Sequence, residues 1–373
     1  MKPNLLLLSG NYPPETGGPA KFVKNFSDWV SSEISSVCVI STHPDKDLSE
    51  MKGNVTVELI SRSQNLFMRY IKTIKKIGSH SNRQTLILAN GCFFETFIAS
   101  YIYRISYCVK LPGDIVWEHA KMNKITSLGM MDFQQSKLPL KYSILRFLFS
   151  LSLKRSELVI VPSSNMLTVC QGWGIDSDKI KLIYNAVNIN EFKPQLDAQK
   201  KFDIITVSRL IAIKRIDELI KSAAALNMTL LIVGDGPLMD ELVLENLRHG
   251  SPATFHGAAT QKELPYLYNQ ARYFVLNSEF EAGTPYALLE ARACGLVVLA
   301  NGATGAADVV SDHVDGFLLN GGLKYDLQGG ITEAVNLGVK YQEYSSAAVA
   351  DCAKRFSEEA IYRNILNSIT HHD

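Results

Sequence analysis

The sequence contains no apolar run long enough to cross a bilayer and no segment that resembles a secretory signal. Its N-terminus carries only a four-residue leucine run, Leu5–Leu8. That run is too short for the apolar core of a signal and indicates a buried first strand. A spanning helix needs about 20 consecutive apolar residues, and no stretch reaches that length. We therefore expect a protein that acts in the cytoplasm.

The sequence also has no closely spaced cysteine pair, almost no net charge and no cluster of typical metal ligands. The six cysteines are scattered with no CxxC pair, which favours buried free thiols over disulfides or a zinc site. The 38 lysines and arginines nearly balance 37 acidic residues. The chain therefore lacks the excess positive charge that would favour nucleic acid as a partner. Nothing in the arrangement of histidines and carboxylates argues for a metal ion, and we expect no cofactor.

Short apolar runs alternate with segments of helical spacing along all 373 residues, a length that suits two domains. The runs are typical of parallel strands covered on both faces: NLLLL, SVCVIST, VTVELI, TLILANG, YCVKLPG and LVIVPSS, then FDIITVSRL, MTLLIVGDG, ATFHG, YFVLNS, GLVVLANG and GFLLNGG. We predict an α/β fold with two Rossmann-like domains, 1–187 and 188–355, that face each other across a ligand-binding cleft. A C-terminal helix, 356–373, is expected to pack back toward the first domain.

The stretch NSEFEAGTPYALLEARACG, residues 277–295, follows a predicted strand as a polar loop and enters a helix that ends before Gly295. Proline just inside the start and glycine just past the end are the usual asymmetry of a helix, and we expect Pro285 and Gly295 in these places. Glu281 in the loop and Glu290 on the helix flank the Gly283-Thr284-Pro285 turn, where helical N–H groups suit a phosphate. Sugar hydroxyls need acceptors and a diphosphate needs donors, so this pattern favours a nucleotide-sugar site.

Two other loops carry groups suited to a diphosphate. Arg209 lies near the end of the run FDIITVSRL, and Lys214 follows it. A guanidinium can bind two oxygens of a diphosphate, and an ammonium acts as a point charge. Gly17 and Gly18 precede the first predicted helix, where the backbone can approach a phosphate or sugar closely. Solvated loop charges and a plain glycine turn are the respective alternatives.

These segments resemble the retaining nucleotide-sugar glycosyltransferases of family 4, which have the GT-B fold. The resemblance is carried by SEFEAGTP and LLEARACG within 277–295, SRLIAIK at 208–214, NYPPETGG at 11–18 and LLIVGDGP at 230–237. Gly234 and Gly236 in the last of these are expected to serve local turn geometry. One inserted residue, Ala282, makes the glutamate spacing Glu-x8-Glu where the family has Glu-x7-Glu.

The resemblance implies that a sugar passes from a nucleoside-diphosphate donor to an acceptor with retention of anomeric configuration and without a metal. Arg209 and Lys214 would stabilise the leaving diphosphate, together with the helix N-terminus. Glu281 would bind the donor sugar. Asp114 directly follows YCVKLPG. It matches best a family residue beside the transferred sugar, with helix capping as the alternative.

The remaining donor contacts are also implied by the resemblance. Glu290 would accept hydrogen bonds from the ribose, and the backbone around His256 would receive the base. Gly17 and Gly18 would face the diphosphate, and Gly283, Thr284 and Pro285 would form the turn beside it.

The acceptor implied by the resemblance is a glycan or a lipid-linked sugar, in the assembly of bacterial surface polysaccharide or lipopolysaccharide. Two basic, partly apolar segments, 66–84 and 137–155, are either packed helices with a solvated basic face or a patch that contacts anionic lipid at the inner face of the cytoplasmic membrane. Three other functions stay open. They are a nucleotide-sugar epimerase, a phosphorylase, which would normally need a pyridoxal lysine and a longer chain, and a non-catalytic nucleotide-sugar-binding protein.

Overall fold

The computed structural model describes residues 2–15, 17–195, 197–319 and 325–371. The chain forms two compact units. The first unit contains the chain up to Ile183 and again from Tyr362 onward, and the second unit is Tyr184–Ile361. The domain boundaries predicted from the sequence lie at 187–188 and 355–356, and that division into domains stays a prediction.

The first unit contains an eight-stranded sheet with the order β3-β4-β2-β1-β5-β6-β7-β8. Its strands are β1 Asn4–Leu8, β2 Ser36–His43, β3 Leu48–Lys52, β4 Val55–Ser61, β5 Thr85–Ala89, β6 Cys108–Lys110, β7 Leu158–Val161 and β8 Ile180–Leu182. Its helices are α1 Gly18–Val30, α2 Leu66–His80, α3 Phe93–Ile102, α4 Ile115–Met122, α5 Met130–Gln135, α6 Leu140–Arg155 and α7 Ser164–Gly172. The edge strands β3 and β8 were not predicted. β3 is antiparallel to β4 and largely exposed, so its sequence lacks an apolar run.

The second unit contains a six-stranded parallel sheet with the order β11-β10-β9-β12-β13-β14. Its strands are β9 Phe202–Val207, β10 Leu230–Val233, β11 Ala253–Gly257, β12 Ala271–Leu276, β13 Val297–Asn301 and β14 Gly316–Leu319. Its helices are α8 Ile216–Ala225, α9 Met239–Arg248, α10 Leu264–Asn269, α11 Tyr286–Ala293, α12 Leu327–Val335 and α13 Tyr341–Asp351. The last three residues of the predicted run GFLLNGG lie outside the described residues.

The final helix, α14 (Glu358–Thr370), belongs to the first unit from Tyr362 onward. The Tyr362 ring lies 5.4 Å from that of Phe26 on α1. Arg363 Nη1 donates to Glu33 Oε2 at 2.6 Å. Within this unit, aromatic packing and an ion pair therefore hold α14 against α1 and the turn that follows α1. Among the described helices, none combines the length and the apolar character needed to cross a membrane.

Each sheet changes its winding direction at one place, between β1 and β5 in the first unit and between β9 and β12 in the second. Ligands of open α/β sheets bind at such a switch point, beyond the carboxyl ends of the strands. In the second unit the loops at this point are 208–215 and 277–285. The predicted α/β class with two Rossmann-like sheets is confirmed.

Candidate functional site

The loops that follow β9 and β12 are bonded to each other at the switch point of the second unit. The Glu279 amide donates to the Ile213 carbonyl at 2.8 Å. The Lys214 ammonium forms an ion pair with the Glu281 carboxylate, and these side chains are only 15% and 16% exposed. Two predicted site residues that are 67 positions apart in sequence are thus brought together, despite the inserted Ala282.

The loop that carries Glu281 is also held from the β13 side. Asn301 Nδ2 donates to the Ser278 carbonyl at 3.0 Å, and the Gly305 amide donates to the Glu281 carbonyl at 3.2 Å. A Cβ atom on Gly305 would lie 2.4 Å from the Gly283 carbonyl oxygen, so only glycine fits there. The predicted Gly283-Thr284 turn is therefore anchored on both sides.

Arg209 lies on the loop after β9 and is exposed. Its neighbours are fixed by backbone bonds, because the Leu210 amide donates to the Asp235 carbonyl at 2.9 Å. Gly234 has φ +139°, and a Cβ atom there would lie 1.8 Å from the Ser208 carbonyl oxygen. The predicted turn role of Gly234 is confirmed. Among the described residues, the Arg209 guanidinium has no hydrogen-bond or ion-pair partner.

Helix α11 begins at Tyr286, and Pro285 precedes it with φ −68° and ψ 125°. Pro285 was expected just inside the helix and instead occupies the capping position. Within the described part of the chain, no side chain caps this end. The N–H groups of a first helical turn have no intrahelical partner, so this end suits an anion. Gly295 follows the helix with φ +80°, as predicted for a helix end.

Glu290 is buried on α11 and 3% exposed. The Tyr268 hydroxyl donates to its Oε2 at 2.9 Å, and Gln261 Nε2 donates to Oε1 at 3.3 Å. Burial raises the pKa of Tyr268 well above its ordinary value, and the Glu290 charge raises it further. Tyr268 therefore remains a donor that orients this carboxylate.

Three predicted donor-binding residues lie elsewhere. His256 is exposed near the carboxyl end of β11 in the second unit. Gly17 and Gly18 belong to the first unit, where α1 begins at Gly18 and Gly17 has φ +135°. Thr16, which precedes this pair in the predicted loop, lies outside the described residues. Donor roles for His256, Gly17 and Gly18 stay predictions.

Asp114 belongs to the first unit and is fully buried. It caps α4, since its Oδ1 accepts from the Val116 amide at 2.9 Å and the Trp117 amide at 3.0 Å. Gln134 Nε2 donates to Oδ2 at 2.7 Å. Burial raises the pKa of Asp114, although these bonds oppose the shift. The structure therefore favours the capping alternative, and a catalytic role stays a prediction.

Several residues that shape the site were missed by the sequence analysis. Asn185 Nδ2 donates to the Thr284 carbonyl at 2.8 Å, and Asn277 Nδ2 donates to the Arg215 carbonyl at 2.9 Å. Asn277 and Asn301 lie at or just after the ends of β12 and β13. A polar residue that ends an apolar run was the signal available for both. Tyr268 gave no such signal, because its partner Glu290 lies on another helix.

The first unit also contains a group that the sequence analysis did not predict. Ligand atoms of Cys38, Glu58 and His80 lie within 4.8 Å of one another, a spacing open to a metal ion. Glu58 is already engaged, because Lys76 Nζ lies 2.5 Å and His80 Nε2 lies 3.1 Å from its carboxylate oxygens. An ion-pair network accounts for this group.

Comparison with known proteins gives concordant results. Residues 188–350 match the family described as glycosyl transferases group 1. A Klebsiella pneumoniae protein, described as an uncharacterized 41.2 kDa protein in the cps region, is 25% identical over 324 residues, covering 82% of this chain and 83% of the relative. Anabaena HepE in complex with UDP-glucose has a TM-score of 0.78 at 22% identity and 99% coverage of each chain. Sucrose-phosphate synthase from Thermosynechococcus elongatus has a TM-score of 0.80 at 18% identity, covering 99% and 98%.

The two solved structures share the fold of this chain, and the family match covers most of the second unit, which carries the Lys214–Glu281 pair. This agreement confirms the resemblance seen in the sequence and favours a transferase over the epimerase, phosphorylase and non-catalytic alternatives. The chain is a glycosyltransferase with the GT-B fold, and its residues 188–350 are similar to the glycosyl transferases of group 1.

Proposed function

We propose that this enzyme transfers a sugar from a nucleoside-diphosphate donor, with retention of anomeric configuration, to a glycan or lipid-linked acceptor. The observation that carries the proposal is the Lys214–Glu281 pair at the β9–β12 switch point. The Klebsiella relative from a cps region and the UDP-glucose complex of HepE support surface-polysaccharide assembly and a nucleotide-sugar donor.

The chemistry follows from where charge develops. As the bond between the sugar C1 and the diphosphate oxygen breaks, negative charge builds on the leaving group. The Lys214 ammonium, the exposed Arg209 guanidinium and the uncapped end of α11 are the groups that stabilise it. A bond forms between C1 and the acceptor oxygen on the same face, and the acceptor proton passes to the leaving diphosphate.

The two glutamates take different parts of the donor. Glu281 lies on an anchored loop beside Lys214, so its carboxylate can accept hydrogen bonds from the sugar hydroxyls. Glu290 accepts from the ribose hydroxyls, with Tyr268 holding it in place. Because two cations and a helix end stabilise the diphosphate, we expect transfer to proceed without a divalent metal.

Substitutions at the site test the proposal. Lys214→Ala and Glu290→Ala should each slow transfer from labelled UDP, GDP or ADP sugars, because a lost charge-assisted contact costs about 2–4 kcal/mol in barrier. Lys221→Ala is the matched control, since Lys221 is an exposed, ion-paired lysine on α8 of the same unit. Near-normal turnover in both site variants, with the control also unchanged, would refute the assignment.

Ligand stabilisation identifies the donor base. A ligand that binds only the native state raises its melting temperature, so a panel of UDP, GDP and ADP should show one nucleotide that stabilises the wild type more than the Glu290→Ala variant. Proton NMR of the product anomeric centre then distinguishes retention from inversion, and inversion would rule out the proposed stereochemistry.

We also infer contact with an anionic membrane. Apolar side chains are exposed at the start of α2 and along α6, at Leu66, Phe67, Met68, Leu140, Ile144, Phe147 and Leu148. Basic residues lie close by in sequence, at Arg69, Lys75, Lys137 and Lys141. Apolar and cationic groups together suit the interface of an anionic bilayer. Failure of the protein to sediment with anionic vesicles would remove this inference.

A further inference from the structure

A cavity of about 590 Å³ lies between α5, α6 and α7 of the first unit. Arg146, Phe147 and Lys154 of α6 line it from one side. Phe147 and Lys154 are seven residues apart and lie on the same face of this helix, and Arg146 is next to Phe147. Met131 of α5 and Trp173, which follows α7, line the other sides.

The charged side chains among the described residues that line the cavity are all positive. Arg146 and Lys154 are both cationic, and none of the described residues that line the cavity is acidic. Arg146 Nη1 donates to the Gln134 carbonyl over a long 3.4 Å, and a guanidinium has five N–H donors in all. A recess with two cations and no carboxylate favours an anion whose oxygens can accept several hydrogen bonds, such as a phosphate.

The wall of the cavity is already ordered. Trp173 Nε1 donates to Gln134 Oε1 at 2.9 Å, and Gln134 Nε2 donates to the buried Asp114 carboxylate at 2.7 Å. Asp114 in turn caps α4. A preformed wall lowers the entropy that a ligand must lose on binding. This chain of bonds also gives the Asp114 and Gln134 side chains a structural task.

The rim of the cavity is apolar. Phe147 is 61% exposed and Met131 38% exposed, and both line the cavity. On the same helix, Ile144 is 49% and Leu148 42% exposed. A cationic recess edged by exposed apolar side chains is complementary to a molecule with a phosphate next to hydrocarbon, which is the chemistry of a membrane phospholipid.

We propose that this cavity binds the headgroup phosphate of an anionic phospholipid in the bilayer. Arg146 and Lys154 bind the phosphate oxygens, and Phe147 and Met131 enter the adjoining hydrocarbon. The site would fix how the first unit rests on the membrane. This inference rests on the proposed membrane contact and assigns it to a defined site on the first unit.

Vesicle sedimentation distinguishes a site from diffuse attraction. The probe is a phosphatidylcholine vesicle with or without phosphatidylglycerol. The Arg146→Gln/Lys154→Gln variant should bind the anionic vesicles roughly 10- to 30-fold more weakly than the wild type. The control is Lys46→Gln/Lys52→Gln, which makes the same charge change at exposed positions outside the cavity and outside the basic segments 66–84 and 137–155. It should weaken binding less than about fivefold.

The outcomes separate the two levels of the proposal. If the wild-type protein does not sediment with anionic vesicles, the membrane contact itself is refuted. Equal losses in the cavity and control variants leave the contact standing and overturn the cavity as its site. The Lys154→Gln single variant keeps the test valid if the double variant unfolds, because Lys154 is exposed and its substitution leaves the cavity wall intact.

A soluble short-chain lipid reports on the cavity directly. Titration with dihexanoyl-phosphatidylglycerol below its micelle concentration should change tryptophan emission in the wild type in a saturable way. The change should be lost in Trp173→Phe and in Arg146→Gln/Lys154→Gln. Inorganic phosphate or glycerol phosphate that reproduces the change at similar concentration would assign the cavity to a free phosphate and refute the lipid proposal.

Discussion

Lys110 provides a quantitative test of the structure of the first unit. It ends β6, is 2% exposed, and its ammonium lies 4.3 Å from the centre of the Phe22 ring. Burial lowers the pKa of Lys110 from 10.5 to about 7. The unfolded chain therefore holds this proton to a higher pH than the folded chain, so the free energy of unfolding rises with pH between about 7 and 10.5.

The size of the effect follows from these two pKa values. Each pH unit within the window contributes at most about 1.4 kcal/mol. Between pH 7 and pH 9 the Lys110 contribution should therefore increase the free energy of unfolding by about 2 kcal/mol. Lys110→Met keeps an unbranched side chain without a charge. The free energy of unfolding of Lys110→Met minus that of the wild type should therefore be about 2 kcal/mol smaller at pH 9 than at pH 7.

Urea unfolding followed by tryptophan emission measures this difference. All three tryptophans, Trp29, Trp117 and Trp173, belong to the first unit, so the signal reports the unit that contains Lys110. Lys137→Met, at an exposed lysine of the same unit, is the control and should show no such pH dependence. A stability difference between wild type and Lys110→Met that is the same at pH 7 and pH 9 would refute the desolvation argument.

Two further predictions concern the second unit. Arg292 is fully buried and donates to Asp315 at 2.6 Å and Asp351 at 2.9 Å. Arg292→Met leaves the buried Asp315 carboxylate without its ion-pair partner, although Asp351 keeps Arg355, and should destabilise the unit by about 3–5 kcal/mol. Calorimetry measures this loss, and Arg355→Met, which removes an exposed arginine, should show a smaller one. Gly234→Ala places a Cβ atom against the Ser208 carbonyl and should displace the loop that carries Arg209. Nucleotide affinity should then fall at least tenfold with the fold retained, and unchanged affinity would contradict this role of the loop.

Local patterns in the sequence were sufficient for most elements of the fold. Leu5–Leu8 predicted a strand buried on both faces, and these residues are at most 1% exposed. The helix YALLEARA was predicted from Pro285 and Gly295, which favour the start and the end of a helix, and Pro285 lies one position earlier than expected, at the cap. The exposed edge strand β3 escaped prediction because strand pairing, rather than apolar periodicity, defines it.

The sequence by itself determined the two sheets, the family resemblance and the chemical types of the site residues, since each depends on short stretches of chain. Only the tertiary structure decided which of those residues meet. Lys214 reaches Glu281 because β9 and β12 are neighbours in the sheet although they are far apart in sequence. Asp114 is a buried residue that caps α4 and accepts a hydrogen bond from Gln134. Strand order and burial arise from contacts between distant segments, and no local periodicity encodes them.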